Sequence, residues 1–241
     1  MKAMKSTLVW TCLLSAFLPG TGVCEERTFK SSDGKELVAE IVKATAADVT
    51  VKRKNDGKEF TLPLARLSKE DQEFVTAWLA KKEASEKLNT RAEREMEVSQ
   101  RDGKKTMLKI PKGEFLSADG VLTLYPGDKV HLEFEKQGEK LANPALVAEV
   151  THPERTITFE MSHKEGTAIL MRTTEIQQTV ALDCTHCAIG SDEFARTNLI
   201  PTEKGLASFD SWPGTVWIVR LSNLEVSDRP AMEVYQEKVG K

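Results

Sequence analysis

The chain has 241 residues, with 34 Lys and Arg against 37 Asp and Glu, a formal net charge of −3. No basic excess is offered to a polyanion, so nucleic acid is excluded as an expected partner. With 29% charged and 40% hydrophobic residues, the composition is that of a globular protein of one large or two small domains.

The chain begins with Lys2 and Lys5 ahead of an apolar run from Leu8 to Leu18, broken by Pro19 and Gly20. The run is too short for a membrane-spanning helix, which needs about 20 residues. It reads as a signal peptide over residues 1–24, with cleavage after Cys24 leaving small residues at the cut. The expected location is therefore secreted or periplasmic, with no transmembrane segment once the signal is removed. A lipid anchor on Cys24 is the minor alternative, since Thr21-Gly22-Val23 makes a poor lipobox.

Residues 25–80 form the first module. A β-like run at Thr28-Phe29-Lys30 meets an Asp33-Gly34 turn. Leu37, Ala39 and Ile41 then alternate with Val38, Glu40 and Val42, and Val49, Val51 and Arg53 with Thr50, Lys52 and Lys54. Asn55-Asp56-Gly57 is a hairpin signal, because Gly takes positive φ without strain. Phe60, Leu62 and Leu64 continue the next strand, and Pro63 limits its pairing. Such short strands in so little chain predict a small barrel. Ser68 then caps a helix with Glu70 and Asp71 in its first turn, and Phe74, Trp78 and Leu79 share a face that would plug the barrel.

From Lys81 to residue 107 the reading is a charged helical linker. Leu88, Ala92 and Met96 recur every fourth residue, so self-association through residues 81–101 as a short coiled coil is the sharper alternative to a solvated spacer. Residues 108–228 then carry repeated strands. Val130, Leu132 and Phe134 alternate with His131, Glu133 and Glu135, and Ile157, Phe159 and Met161 with Thr156, Thr158 and Glu160. Turn signals such as Pro126-Gly127-Asp128 and Pro213-Gly214 separate the runs, which predicts an antiparallel β-sandwich. Residues 229–241 read as a tail with little signal.

The first module resembles the first homology domain of the yeast endocytic adaptor Sla-one, a domain also found in secreted bacterial proteins. The resemblance is carried by Arg27-Thr28-Phe29, the Asp33-Gly34 and Asp56-Gly57 turns, the Val38–Ile41 and Val49–Val51 runs, and above all Leu67 to Val75. It implies an SH3-like barrel that binds proteins, in a family associated with cytoskeletal, clathrin and ubiquitin partners. Arg53, Lys54, Lys58 and Arg66, with Lys52, are the candidates to contact an acidic peptide, although a solvated strand face explains them too.

Cys184-Thr185-His186-Cys187 is the constellation with chemical potential. A CxxC pair serves as a disulfide, a redox dithiol or half of a metal site. An oxidising compartment favours a disulfide between Cys184 and Cys187, and Cys184, His186 and Cys187 are the weak metal alternative. No metal and no cofactor are expected, and no nucleophile elbow, zinc-protease motif or phosphate loop is present. The chain therefore reads as mainly β: a small SH3-like barrel with a C-terminal helix, a charged helical linker and a β-sandwich. The expected function is non-enzymatic protein or peptide binding. Two other readings stand beside it: a carbohydrate-binding or envelope accessory protein using the sandwich, with Trp212 or Trp217 as a sugar platform, and a thiol-active or metal-binding protein.

Overall fold

A computed structural model describes residues 26–100, 102–138 and 140–240. The signal-peptide reading and the lipid-anchor alternative at Cys24 lie outside the described residues. The chain is mainly β, in several antiparallel sheets.

Strands β1 (Arg27–Lys30), β2 (Glu36–Ala44), β3 (Asp48–Arg53) and β4 (Glu59–Pro63) form a meander in that order. Gly34 and Gly57 sit at its turns with φ of 84° and 66°, a region open to glycine. The alternation read from the sequence holds: Phe29, Ala39, Val49 and Val51 are buried on one face, with Leu67 and Val75 packed over them.

The sheet is not closed, which corrects the expectation of a barrel. β1 and β4 are its two edges. Pro63, which has no N–H to donate, ends β4, and a 3-10 turn over Leu64–Arg66 carries the chain back to β1. There it makes a single Ser31–Leu67 bridge, flanked by Ser68 N–H to Lys30 O at 2.8 Å and Ser32 N–H to Arg66 O at 2.7 Å.

Helix α1 (Lys69–Leu88) starts where the sequence places its cap, with the Ser68 hydroxyl accepting from Asp71 N–H. Its buried apolar contact is Val75, with Phe74 half-buried at the margin. Trp78 is half-buried outside this core, with the Lys82 ammonium 5.3 Å from its ring centre, so the plug runs through Val75 and not Trp78.

The helical linker and its coiled-coil alternative are also corrected. α1 ends at Leu88, and β5 (Thr90–Arg91), β6 (Arg94–Ser99), β7 (Lys105–Ile110) and β8 (Gly113–Glu114) follow. β6 and β7 form a hairpin through Gly103, and β5 pairs with β8. Of the charges that suggest a solvated helix, those from Lys81 to Lys87 do lie on exposed turns of α1, whereas Glu97 and Glu95 form cross-strand pairs with Lys105 at 2.7 Å and Lys109 at 3.8 Å. Val98 and Leu108 fill the opposite face. Leu88, Ala92 and Met96 therefore share no helical stripe.

Strands β9 (Leu122–Leu124), β10 (Lys129–Gln137), β11 (Lys140–Val147), β12 (Thr156–Lys164), β13 (Thr167–Thr174), β14 (Thr179–Ala188), β15 (Phe194–Thr197), β16 (Ala207–Pro213) and β17 (Val216–Ser227) build two sheets. Their orders are β11-β10-β12-β13-β16 and β15-β14-β17-β9. Both contribute to one core that includes Phe134, Phe159, Met161, Leu170, Leu182 and Leu221, so the two faces pack on each other as a sandwich. Its sheets begin at β9, later than residue 108. Asn143, with φ of 47°, and Pro144 sit at a bulge in edge strand β11, where a missing N–H is tolerated.

The tail is a helix, α2 (Ala231–Val239). Ala231 and Val234 are buried where it packs on β14, and Lys238 pairs with Asp183 at 3.1 Å.

Two polar nodes fix the segment that follows α1. Asn89 donates to Leu116 O and accepts from Leu116 N–H, both at 2.8 Å. The buried Asp128 carboxylate accepts from Arg91 Nε at 3.1 Å, from an Arg94 nitrogen at 2.7 Å and from Tyr125 N–H at 2.8 Å. Arg91 is itself buried and lies over the Tyr125 ring at 4.3 Å.

Candidate functional site

The site begins at the N-cap of α1. Asp71 is 2% exposed. Its carboxylate accepts from Lys30 N–H at 2.7 Å, Arg27 Nε at 2.9 Å and the Ser68 hydroxyl at 2.9 Å. Burial alone would raise its pKa, but these donors outweigh burial and hold the carboxyl below its ordinary value. The Arg27 guanidinium lies 4.2 Å from the Phe74 ring centre, and Phe74 meets Phe29 edge-on. The run Leu67–Val75 thus has a physical content: it ties the start of α1 to β1.

On the same sheet a cleft of about 260 Å³ is lined by Glu26, Glu40, Lys52, Arg53 and Lys54. Of the four predicted basic contacts, Arg53 and Lys54 line it, and Lys58 and Arg66 do not. Arg53 grips Asp56 through Nε at 2.9 Å and stacks 4.7 Å from the Phe60 ring centre, which fixes its guanidinium. Lys54 pairs with the Glu26 carboxylate. Arg66 belongs to the 3-10 turn, and Lys58 is exposed beside the Asp56 turn. Two carboxylates thus line the cleft, Glu40 on β2 and Glu26 at the start of the described chain, the latter paired with Lys54.

Cys184 and Cys187 are both buried free thiols, which overturns the expected disulfide. They lie three residues apart on β14 in an unbroken stretch of register, Cys184 opposite Leu221 and Cys187 opposite Ile218. Three strand steps span about 10 Å and turn the side chains to opposite faces. A disulfide requires Cα atoms within about 7 Å. Cys184 points into the sandwich core, while the Cys187 Sγ lies 2.9 Å from Ser191 O on the other side of the sheet.

The same alternation removes the metal alternative, because Cys187 faces away from Cys184 and His186. His186 Nδ1 is 2.8 Å from the Thr197 hydroxyl. Among the described residues no group of three His, Cys, Asp or Glu side chains is set to hold a metal. Burial, with Asp210 nearby, pushes the Cys184 thiol up to about 12, so it carries no thiolate for redox work at neutral pH. Trp212 is buried in the core with Nε1 donating to Thr197 at 3.2 Å, and Trp217 stands edge-on to Tyr125.

A buried polar group was not anticipated. Arg172 on β13 is fully buried and donates to Asp210 at 2.6 Å and Ile200 O at 2.9 Å. Strand alternation could have revealed it, because Ala168, Leu170 and Arg172 share one face.

No protein-family model, curated protein or solved structure matches this chain. Among the described residues no helix is long and apolar enough to cross a membrane.

Proposed function

We propose that this is a secreted, non-enzymatic, adaptor-like protein whose N-terminal module binds an extended acidic segment of a partner protein. The observation that carries the reading is the seated Glu26 carboxylate. It occupies Lys54 in a cleft that also presents Lys52, Glu40 and an Arg53 already paired with Asp56. An incoming acidic side chain meets the same chemistry by displacing Glu26. Rigid placement of Arg53 by Asp56 and Phe60 reduces the entropy lost when a ligand binds.

The SH3-like reading rests on an open four-stranded sheet whose chain returns to β1 after a 3-10 turn, and not on a closed barrel. Export rests on Lys2, Lys5 and the Leu8–Leu18 run.

Fluorescence anisotropy of the exported chain with labelled extended peptides, matched in length and differing in charge, tests the reading. Acidic peptides bind with salt-sensitive affinity, and Lys52→Glu with Lys54→Glu weakens them by roughly tenfold or more. Binding that ignores the double substitution, or the absence of binding by every peptide, overturns it.

A further inference from the structure

We propose that the outer face of the four-stranded sandwich sheet binds an acidic polysaccharide along the row Arg196, Thr185, Arg220 and Thr123. The strand register sets these four residues side by side across β15, β14, β17 and β9. They stand on the face opposite the core, because Cys184, Val219 and Leu221 point inward from the same strands. Guanidinium and hydroxyl groups thus alternate along the row. The two arginines are two strands apart, roughly 10 Å.

Both arginines are exposed. Among the described residues neither holds a carboxylate, whereas Arg27, Arg53, Arg91 and Arg172 each grip an aspartate. Asp183, two residues before Thr185 on the same face, already accepts from Asn223 at 2.7 Å and pairs with Lys238 of α2 at 3.1 Å. The Arg220 guanidinium lies 3.8 Å from the Phe194 ring centre, which restrains it before a ligand arrives. The chain as a whole has no basic excess, so this row is a local concentration of positive charge.

The chemistry of the row selects its occupant. An unpaired guanidinium meets a carboxylate or sulfate in two parallel hydrogen bonds. The strands flanking Thr185 and Arg220 already use their backbone groups in ladders, so the face offers an extended peptide no main-chain pairing. None of the large apolar side chains exposed among the described residues belongs to the row, so a bilayer gains no anchor there. A sugar polymer bearing both hydroxyls and acid groups matches guanidinium and threonine together. Exposed ion pairs contribute little each, so binding is weak and salt-sensitive.

Biolayer interferometry of the full exported chain on immobilised alginate, dextran sulfate and neutral dextran tests this. The two acidic polymers bind at low salt and neutral dextran does not. Arg196→Gln with Arg220→Gln weakens binding by roughly tenfold or more. Lys52→Glu with Lys54→Glu, in the cleft of the first module, leaves it unchanged, which separates this face from that cleft. Circular dichroism confirms that each variant is folded. Failure of both acidic polymers to bind overturns the proposal, as does binding indifferent to the arginine pair or equally sensitive to the lysine pair. An acidic peptide or phosphatidylglycerol vesicles bound through the arginines more tightly than alginate overturns the choice of a sugar polymer and gives the row to that partner.

Discussion

The N-terminal module and the sandwich solve the same problem with different means. Among the described residues the sandwich core holds nineteen buried apolar side chains, whereas that of the module holds six. Two stacked sheets cover each other, so apolar area supplies most of what holds them together, with few polar links such as Trp212 to Thr197 between them. A single small sheet under one helix lacks that area. It relies instead on a polar anchor, the Asp71 carboxylate joining Arg27, Lys30 and Ser68. Small modules are thus sensitive to a few hydrogen bonds that a larger core would render minor.

The sharpest test is the sandwich core itself. Phe159, fully buried in central strand β12, should cost about 4 kcal/mol when replaced by alanine. Urea unfolding followed by tryptophan fluorescence reads this. A loss under about 1 kcal/mol would remove the contrast between the regions.

Next comes Asp71→Ala, expected to cost about 2 kcal/mol by unpairing Lys30 N–H and Arg27 together. This loss depends on pH. A carboxyl whose pKa is lowered on folding binds fewer protons in the folded state. Its contribution is complete above the unfolded pKa and disappears as pH falls through the folded one. The gap between wild type and variant should therefore stay constant from pH 7 to about pH 5 and shrink below about pH 4. A gap that widens in acid refutes the anchor.

The smallest effect belongs to Trp78→Ala. Half-buried and outside the core, it should cost about 1 kcal/mol. A loss of 3 kcal/mol or more, of the order expected for a buried aromatic, would restore it as the plug of the module.

Local signals with a single physical meaning were readable from the sequence. Gly34 and Gly57 turn where Asp-Gly predicts, Ser68 caps α1, and Phe29, Val49 and Val51 face inward as alternation requires. Two readings failed where weaker cues outweighed that alternation. The four-residue recurrence of Leu88, Ala92 and Met96 masked a β-hairpin whose Asp102-Gly103 turn resembles the earlier ones. The compartment favoured a disulfide, although the period that turns Val180 and Leu182 inward also puts Cys184 inside and Cys187 outside. Closure of the first sheet was beyond reading, because it depends on how the chain returns after Pro63. The α2 helix hid behind a short apolar spacing, Ala231 and Val234, which acquires meaning only once β14 lies beneath it.

The opposed cysteines of β14 carry a consequence for how the chain is made. In an unfolded chain the two thiols are close enough to close a small ring under an oxidant. An extended strand cannot contain that ring. Oxidation ahead of folding therefore creates a covalent dead end, one that only a reductant or a thiol-exchange catalyst reopens. Once β14 is in place the hazard ends, because each thiol is shut away on its own side of the sheet.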